Sequence, residues 1–282
     1  MKRVAFVVHS GRPEAVAVAS QLSHGLEEAE VLTLRLPAEP IEATQAAGTG
    51  SLVAGVDLVV SVGGDGTFLR AAEIAYGYGS PVVGVKVGRL GFLTETEPQD
   101  AQVVIEDALA GRARIEERMP LIASSAAWEE PQWALNEVIV EKQTRHRLVT
   151  LAVKVDSAEF TTFSADGVIV ATSTGSTAYS FSARGPIVLP TLPCIVVTPV
   201  AAHMVFDRSL VLSRRETVTL EVVGDEPGEL SADGREGVTV PVGTSVEIAS
   251  APTPTLMVRP SNGKSFLSIV HDKFGLPGGR TT

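Results

Sequence analysis

Cysteine is nearly absent: the 282-residue chain carries one, Cys194. No intrachain disulfide can staple the fold and no thiolate cluster can hold a metal. A single cysteine in an apolar run reads as a small core side chain. Long hydrophobic runs are missing too. The apolar stretches are strand-sized and broken by Gly, Pro or charge, and Met1-Lys2-Arg3 leads into 4-VAFVV-8, too short for a signal segment. The expectation is a soluble, cytoplasmic protein with no membrane partner. Basic residues are outnumbered, 23 Lys and Arg against 33 Asp and Glu, giving a net charge of −10. That excludes a general nucleic-acid binder, which needs a basic surface to displace phosphate counterions. Phosphate chemistry must therefore be local, and the short basic runs 142-KQTRHR-147 and 208-RSLVLSRR-215 read as solvated faces or turns. Internal repeats and low-complexity tracts are absent. So are a Gly-Lys-Ser/Thr phosphate loop and a G-x-G-x-x-G turn after the first strand, which removes both common nucleotide fingerprints.

What is present is the composition of a globular protein, 44% hydrophobic and 20% charged, in a chain long enough for one large domain or two ordinary ones. Strand and helix patterns alternate over the first part: strand 4–8, helix 13–28 with Pro13 in its first turn, strand 30–36, a weak helix 40–47, strand 57–62, helix 67–76, strand 82–87 and helix 98–111. Such alternation with continuous apolar strands predicts an α/β domain with a mostly parallel sheet. Past about residue 118 the pattern becomes β-rich. Strands are expected at 133–142, 148–156, 159–173, 193–200, 217–223 and 238–250, making an all-β, sandwich-like domain. A short helix at 177–183 and an amphipathic helix at 264–274, closed by Gly275 and followed by a flexible tail, interrupt it. The expected division is 1–118 with 264–282, and 119–263.

Three constellations carry chemistry. The first is 58-LVVSVGGDGTFLRAA-72, where a buried strand passes into a helix through Gly63, Gly64, Asp65, Gly66 and Thr67. Glycines there give positive φ and let backbone N–H groups approach a ligand, and the helix start favours an anion. Asp65 is the one ionisable group in the turn and suits a base taking a proton from an attacking hydroxyl; the plainer alternative is that it caps the helix. Arg70, one turn on, is within reach of phosphate or simply exposed. The second is 166-DGVIVATSTGSTAYSFS-182, where Thr172, Ser173, Thr174, Ser176 and Thr177 surround Gly175, with Tyr179 offering an aromatic face. This suits a nucleotide, or is a Ser/Thr-rich loop over a core tyrosine. The third is Asn136-Glu137, an amide beside a carboxylate in an otherwise apolar strand. At least one of the two should face a ligand, unless this is an edge strand with Glu137 in solvent.

At these residues the chain resembles the bacterial NAD kinases. The resemblance rests on 63-GGDGT-67, 84-GVKVGRLGFLTE-95, 135-LNE-137, 166-DG-167, 174-TGSTAYSFS-182, 198-TPVAAH-203 and 232-ADGR-235. GGDGT alone also resembles diacylglycerol and sphingoid-lipid kinases and, loosely, phosphofructokinases; LNE and TGSTAY select NAD kinase. The resemblance implies an α/β domain and a β-sandwich domain around the dinucleotide, with the last helix returning to the first domain. It implies transfer of a phosphoryl group from ATP, or inorganic polyphosphate, to the 2′-hydroxyl of the NAD adenosine ribose. By position it makes Asp65 the base and sets Gly63, Gly64, Gly66 and Thr67 at the phosphates, with Phe92 on the adenine. On the same resemblance Asn136 and Glu137 would hold adenosine-side groups, and Asp166 the nicotinamide-side amide or ribose. Thr174, Thr177, Ala178, Tyr179 and Ser182 would complete the pocket, and Arg147 matches a family position that is often a basic or His ligand. No residue set looks like a protein metal cage, so Mg²⁺ is expected to arrive on the donor. A homodimer or homotetramer is implied. Lys86, Ser173, Ser209 and Arg235 depart from the family pattern, and Lys86 could help neutralise a bound phosphate. A non-catalytic NAD(P)-binding sensor and a lipid kinase are the alternatives; the retained Asp65 opposes the first, and the acidic charge without a basic amphipathic helix opposes the second.

Overall fold

The computed structural model describes residues 2–26, 29–36, 55–202 and 206–277. The helix expected at 40–47, His203 and the 278–282 tail lie outside the described residues. The chain forms two compact units, Met1–Glu117 with Thr255–Thr282, and Arg118–Pro254. Among the described residues no helix is long and apolar enough to cross a membrane.

The first unit is built on a six-stranded sheet of β1 (Lys2–His9), β2 (Ala29–Leu36), β3 (Leu58–Gly63), β4 (Val82–Lys86), β5 (Arg114–Arg118) and β18 (Thr255–Arg259), in the order β2-β1-β3-β4-β18-β5. β1 pairs in parallel with β2 and β3, and β4 pairs in parallel with β3 and β18. Every residue of β3 is buried, as a strand covered on both faces requires. The covering helices are α1 (Pro13–His24), α2 (Asp65–Tyr78) and α3 (Ala101–Leu109). α2 buries Phe68, Ala71, Ala72 and Ala75, spaced three and four residues apart along one face. Phe68 is fully buried, which is worth about 1.5–3 kcal/mol. Gly84 makes room for that ring, since an added Cβ would lie 2.8 Å from Phe68 Cδ2. α2 ends at Gly79, whose φ of 65° lets its N–H reach the carbonyls of Ala75 and Tyr76.

The last helix, α5 (Phe266–Phe274), belongs to this unit. Ser265 caps its start by accepting from the Ser268 N–H, and Gly275 ends it at φ 58°. The β-domain boundary expected at 263 lies earlier: 255-TLMVR-259 enters the parallel sheet, with Met257 opposite Val82 and Val258 buried in that core.

The second unit holds two six-stranded antiparallel sheets. One contains β6 (Leu121–Ser124), β7 (Gln132–Ala134), β9 (Val149–Val155), β10 (Ala158–Ala165), β14 (Val218–Val222) and β17 (Ser245–Ser250), ordered β10-β9-β14-β17-β6-β7. The other contains β8 (Glu137–Lys142), β11 (Gly167–Thr172), β12 (Cys194–Val200), β13 (Leu210–Ser213), β15 (Gly228–Ala232) and β16 (Val238–Val240), ordered β13-β12-β11-β8-β15-β16. Side chains of both sheets, among them Leu151, Phe163, Leu220, Val140, Val170 and Leu230, share one core. Cys194 is buried in a smaller cluster with Ile139, Ile169 and Val188, where burial pushes its thiol pKa up.

Three expected strands are each two. The run 133–142 breaks at Leu135-Asn136, 159–173 breaks at Asp166, and 238–250 sends β16 and β17 to different sheets. The expected helix at 177–183 is a 3₁₀ turn (Gly175–Thr177) followed by α4 (Tyr179–Ser182).

Candidate active site

Asp65 is the first residue of α2, at the carboxyl end of β3. It does not cap its helix: Gly64 holds the N-cap position and no side chain caps there. Its carboxylate instead gathers the loop after β4. Oδ2 accepts from the Phe92 N–H at 2.8 Å, while Oδ1 accepts from Leu93 N–H at 3.2 Å, Thr94 N–H at 3.3 Å and Thr94 Oγ1 at 3.3 Å. Gly91 is obligatory here, because an added Cβ would stand 1.9 Å from Asp65 Oδ1.

The glycines of GGDGT serve space and not positive φ. None of Gly63, Gly64 and Gly66 is among the positive-φ residues, and Gly64 has φ −101°. Gly63 lies against Thr67, whose Oγ1 would be 2.5 Å from an added Cβ. Around Gly64 and Gly66, chain neighbours and the helix's own backbone aside, nothing among the described residues lies within 4 Å of that position. Neither packing nor backbone conformation demands glycine at these two sites, so what remains is room for something to approach the backbone.

The cations that the sequence placed near phosphate are already partnered. Arg70 lies 4.0 Å from Glu73, and Lys86 pairs with Glu97. Phe92 is half-buried under α5, its ring centroid 6.2 Å from those of Phe266 and Phe274, with Lys273 Nζ 4.7 Å from it.

In the second unit, LNE is organised by a residue whose role sequence reasoning missed. Asp233 accepts from Leu135 N–H at 2.8 Å, Asn136 N–H at 2.8 Å and Glu137 N–H at 3.1 Å, and its own N–H donates to the Glu137 carbonyl at 3.0 Å. The strand breaks at Leu135-Asn136 because these amides turn to a carboxylate. Asp233 and Gly234 both have positive φ, and the Arg235 N–H donates to the Ala232 carbonyl at 3.1 Å, a tight primed turn that the Asp-Gly pair could have signalled. Arg235 donates to the carbonyls of Ala232 and Trp133.

The TGSTAY loop packs directly on LNE. Gly175 has no space for a side chain, since an added Cβ would lie 2.1 Å from the Asn136 carbonyl oxygen. Thr172 Oγ1 donates to the Leu135 carbonyl at 2.6 Å and accepts from Gly175 N–H at 3.0 Å. Thr174 is buried with Arg118 Nη1 on its hydroxyl at 3.2 Å, Ser173 donates to the Pro190 carbonyl, and Ser176 bonds to the backbone of Ser173 and Val188. Most of the hydroxyl run thus knits the loop. Thr177 and Ala178 are half-buried, while Tyr179 (40% exposed) and Ser182 reach solvent.

Glu137 does not lie in solvent; it and Asn136 are each only 9% exposed. Its carboxylate receives the Tyr179 N–H, yet Oε2 is buried with no hydrogen-bond partner among the described residues. Burial, then the neighbouring Asp233, raise its pKa to about 8 against the opposing Tyr179 bond. It is therefore chiefly a neutral acid at pH 7. Burial also raises the Asp233 pKa, against the three amide donors and Arg235. Asp166 pairs with Lys142, and Arg147 lies 3.6 Å from Glu226. The Tyr179 phenol is pushed up by burial and by Glu141, Asp166 and Glu137.

Comparison with known proteins places these two surfaces in one family. The model for the ATP-NAD kinase N-terminal domain matches residues 4–113 and that for the ATP-NAD kinase C-terminal domain matches 135–260. The chain is 37% identical to NAD kinase 2 of Streptomyces avermitilis over 98% of its own length and 95% of that protein's. Its fold is similar to that of yeast NADH kinase solved with NADH, with a TM-score of 0.84 at 22% identity, covering 100% of this chain and 90% of that one. It is also similar to an NAD kinase from Archaeoglobus fulgidus solved with ATP, with a TM-score of 0.73 at 26% identity over 97% of both. With both halves matched in order and close relatives aligned almost end to end, the chain belongs to the NAD kinase family.

Proposed function

We propose that the protein phosphorylates NAD, moving the γ-phosphoryl group of ATP to the 2′-hydroxyl of the adenosine ribose to give NADP and ADP. The observation that carries this reading is the Asp65 carboxylate, held at a strand end beside two glycines that nothing crowds. In the transfer the ribose oxygen bonds to the γ-phosphorus while the bond to the β,γ-bridging oxygen breaks. Its electron pair leaves with ADP, and the ribose proton passes to Asp65. Oδ2 is the oxygen for that proton, since Oδ1 serves three donors and Oδ2 only the Phe92 N–H. The start of α2 adds free backbone N–H groups and a positive dipole end, which favour phosphate at Gly64, Gly66 and Thr67.

Among the described residues no group of three His, Cys, Asp or Glu is placed to hold a metal ion. Without such a group, a magnesium ion would be held mainly by the oxygens of the phosphate donor. Bound that way, it would offset phosphate charge during transfer. We assign the NAD-binding role to Asn136, Glu137, Asp166, Thr177, Ala178, Tyr179 and Ser182, with Phe92 as the adenine contact. The unpartnered Glu137 Oε2 supports this, because a buried polar atom without a bond in the free protein is left for a ligand. Polyphosphate has the linkage of the ATP tail and would use the same glycine edge. The reading carries with it the cytoplasmic location and the homodimer or homotetramer that the resemblance implies.

The test is incubation with NAD and either ATP or polyphosphate, with and without Mg²⁺, followed by detection of NADP. NADP formed with one donor and Mg²⁺ supports the assignment and identifies that donor. NAD binding without NADP from any donor would replace the kinase with a sensor.

A further inference from the structure

The winding of the first sheet draws a residue outside both GGDGT and LNE to the edge where GGDGT lies. Its order runs β2-β1-β3-β4, so the chain leaves β1 toward one side and later lays β3 on the other. The carboxyl ends of β1 and β3 therefore flank the point where winding reverses, where open α/β sheets hold ligands. Beyond β1 comes Ser10-Gly11-Arg12, with Arg12 at the N-cap position of α1. Its Nη1 donates to the carbonyl of Val87, just past β4, at 3.1 Å. The Val87 N–H in turn donates to the carbonyl of Gly63 at 3.0 Å. Because β3 lies between β1 and β4, the Arg12 side chain crosses the end of β3, where GGDGT begins. Gly88 is shaped around it: φ is +102° and an added Cβ would be 3.1 Å from Arg12 Nη1.

Charge sets this arginine apart. Lys86 and Arg70 at this edge pair with Glu97 and Glu73, and Arg259 on β18 pairs with Glu95. Arg12 is exposed, and among the described residues no carboxylate lies within ion-pair distance of it. Arg89 is exposed too, but among the described residues no bond fixes its guanidinium. A guanidinium carries five N–H donors in a rigid fork. Val87 takes one, which anchors the guanidinium at the strand ends where GGDGT begins.

We propose that Arg12 is a phosphate-binding residue of the donor site, gripping the polyphosphate tail of ATP over the GGDGT turn. The assignment rests on the kinase reading and deepens it. Two variants test it, Arg12→Gln, which stays polar but loses the charge and the reach, and Arg12→Lys, which keeps the charge but loses the fork. ATP and NAD are varied separately in steady-state assays, and ATP and NAD affinities are measured by calorimetry, which needs no turnover. Arg12→Gln should raise the KM for ATP by about 10- to 100-fold and leave NAD affinity within about twofold. Arg12→Lys should recover part of that loss. An unchanged KM for ATP, or equal losses for ATP and NAD, overturns the assignment while wild-type NADP formation keeps the kinase reading intact. If the wild type forms no NADP, the kinase reading fails, and unaltered ATP affinity in Arg12→Gln separately overturns the role of Arg12. Should Arg12→Gln fail to fold, the ratio of ATP to NAD KM in Arg12→Lys decides by the same criterion.

Discussion

Replacing Gly91 by alanine adds one methyl group at the point where the proposed base is held. Its Cβ would stand 1.9 Å from Asp65 Oδ1, 2.6 Å from Asp65 Cγ and 2.7 Å from Thr94 Oγ1. Ordinary carbon contacts lie near 3.5–4.0 Å, so the carboxylate must shift by about 1.5 Å or more. The shift strains or breaks the bonds to Leu93 and Thr94, which all end on Oδ1. Overpacking of this kind costs about 1–3 kcal/mol of stability. A base displaced by about 1 Å costs about 100-fold in rate, and that is the larger effect because a protein of ordinary stability survives the first. Steady-state NADP formation by Gly91→Ala should show kcat down by about 100-fold or more, with KM for NAD changed by less than about threefold. Wild-type kcat in a folded Gly91→Ala variant would refute the claim that the loop geometry sets the position of Asp65.

Gly64→Ala separates ligand approach from folding at the same turn. Nothing lies within 4 Å of its added Cβ and its φ is −101°, so thermal stability should hold or rise by about 0.4–1 kcal/mol, while kcat/KM for ATP falls by at least about 10-fold. Calorimetric melting and donor kinetics check the two halves, and full activity would mean that no phosphate approaches Gly64. The Glu137 pKa is raised from 4.5 to about 8 in the folded protein. The stability linked to its proton is therefore complete below pH 4.5 and is lost as pH rises through about 8. Urea unfolding of the free protein should show wild-type stability falling across that window and a flatter profile for Glu137→Gln, the slope from Asp233, shifted the same way, remaining. Identical pH profiles for the two proteins would contradict the buried, neutral acid.

The two architectures were legible because burial periodicity is local. Continuous runs such as Leu58–Gly63 announce a strand covered on both faces, and alternating runs such as Val149–Val155 announce one face in a core. The site was legible as a set of motifs but not as a geometry. Asp65 read as the lone acid of a turn, whereas its partners come from residues 92–94, beyond the next strand. Asp233 was visible within ADGR, yet its hold on LNE joins residues almost a hundred positions apart, which no local pattern encodes. The positive φ expected of GGDGT was wrong because a strand can enter a helix through extended Gly64 without a left-handed turn. β18 was missed for a related reason: 255-TLMVR-259 follows a long β-rich stretch, and only pairing with β4 assigns it to the other unit.

The central claim is that the Asp65 carboxylate takes the proton from the ribose hydroxyl. The direct measurement is the kcat of Asp65→Asn for NADP formation from NAD and ATP, on folded protein whose NAD affinity is measured alongside. The account predicts a fall of about 100- to 10,000-fold with NAD still bound. Turnover equal to that of the wild type contradicts it.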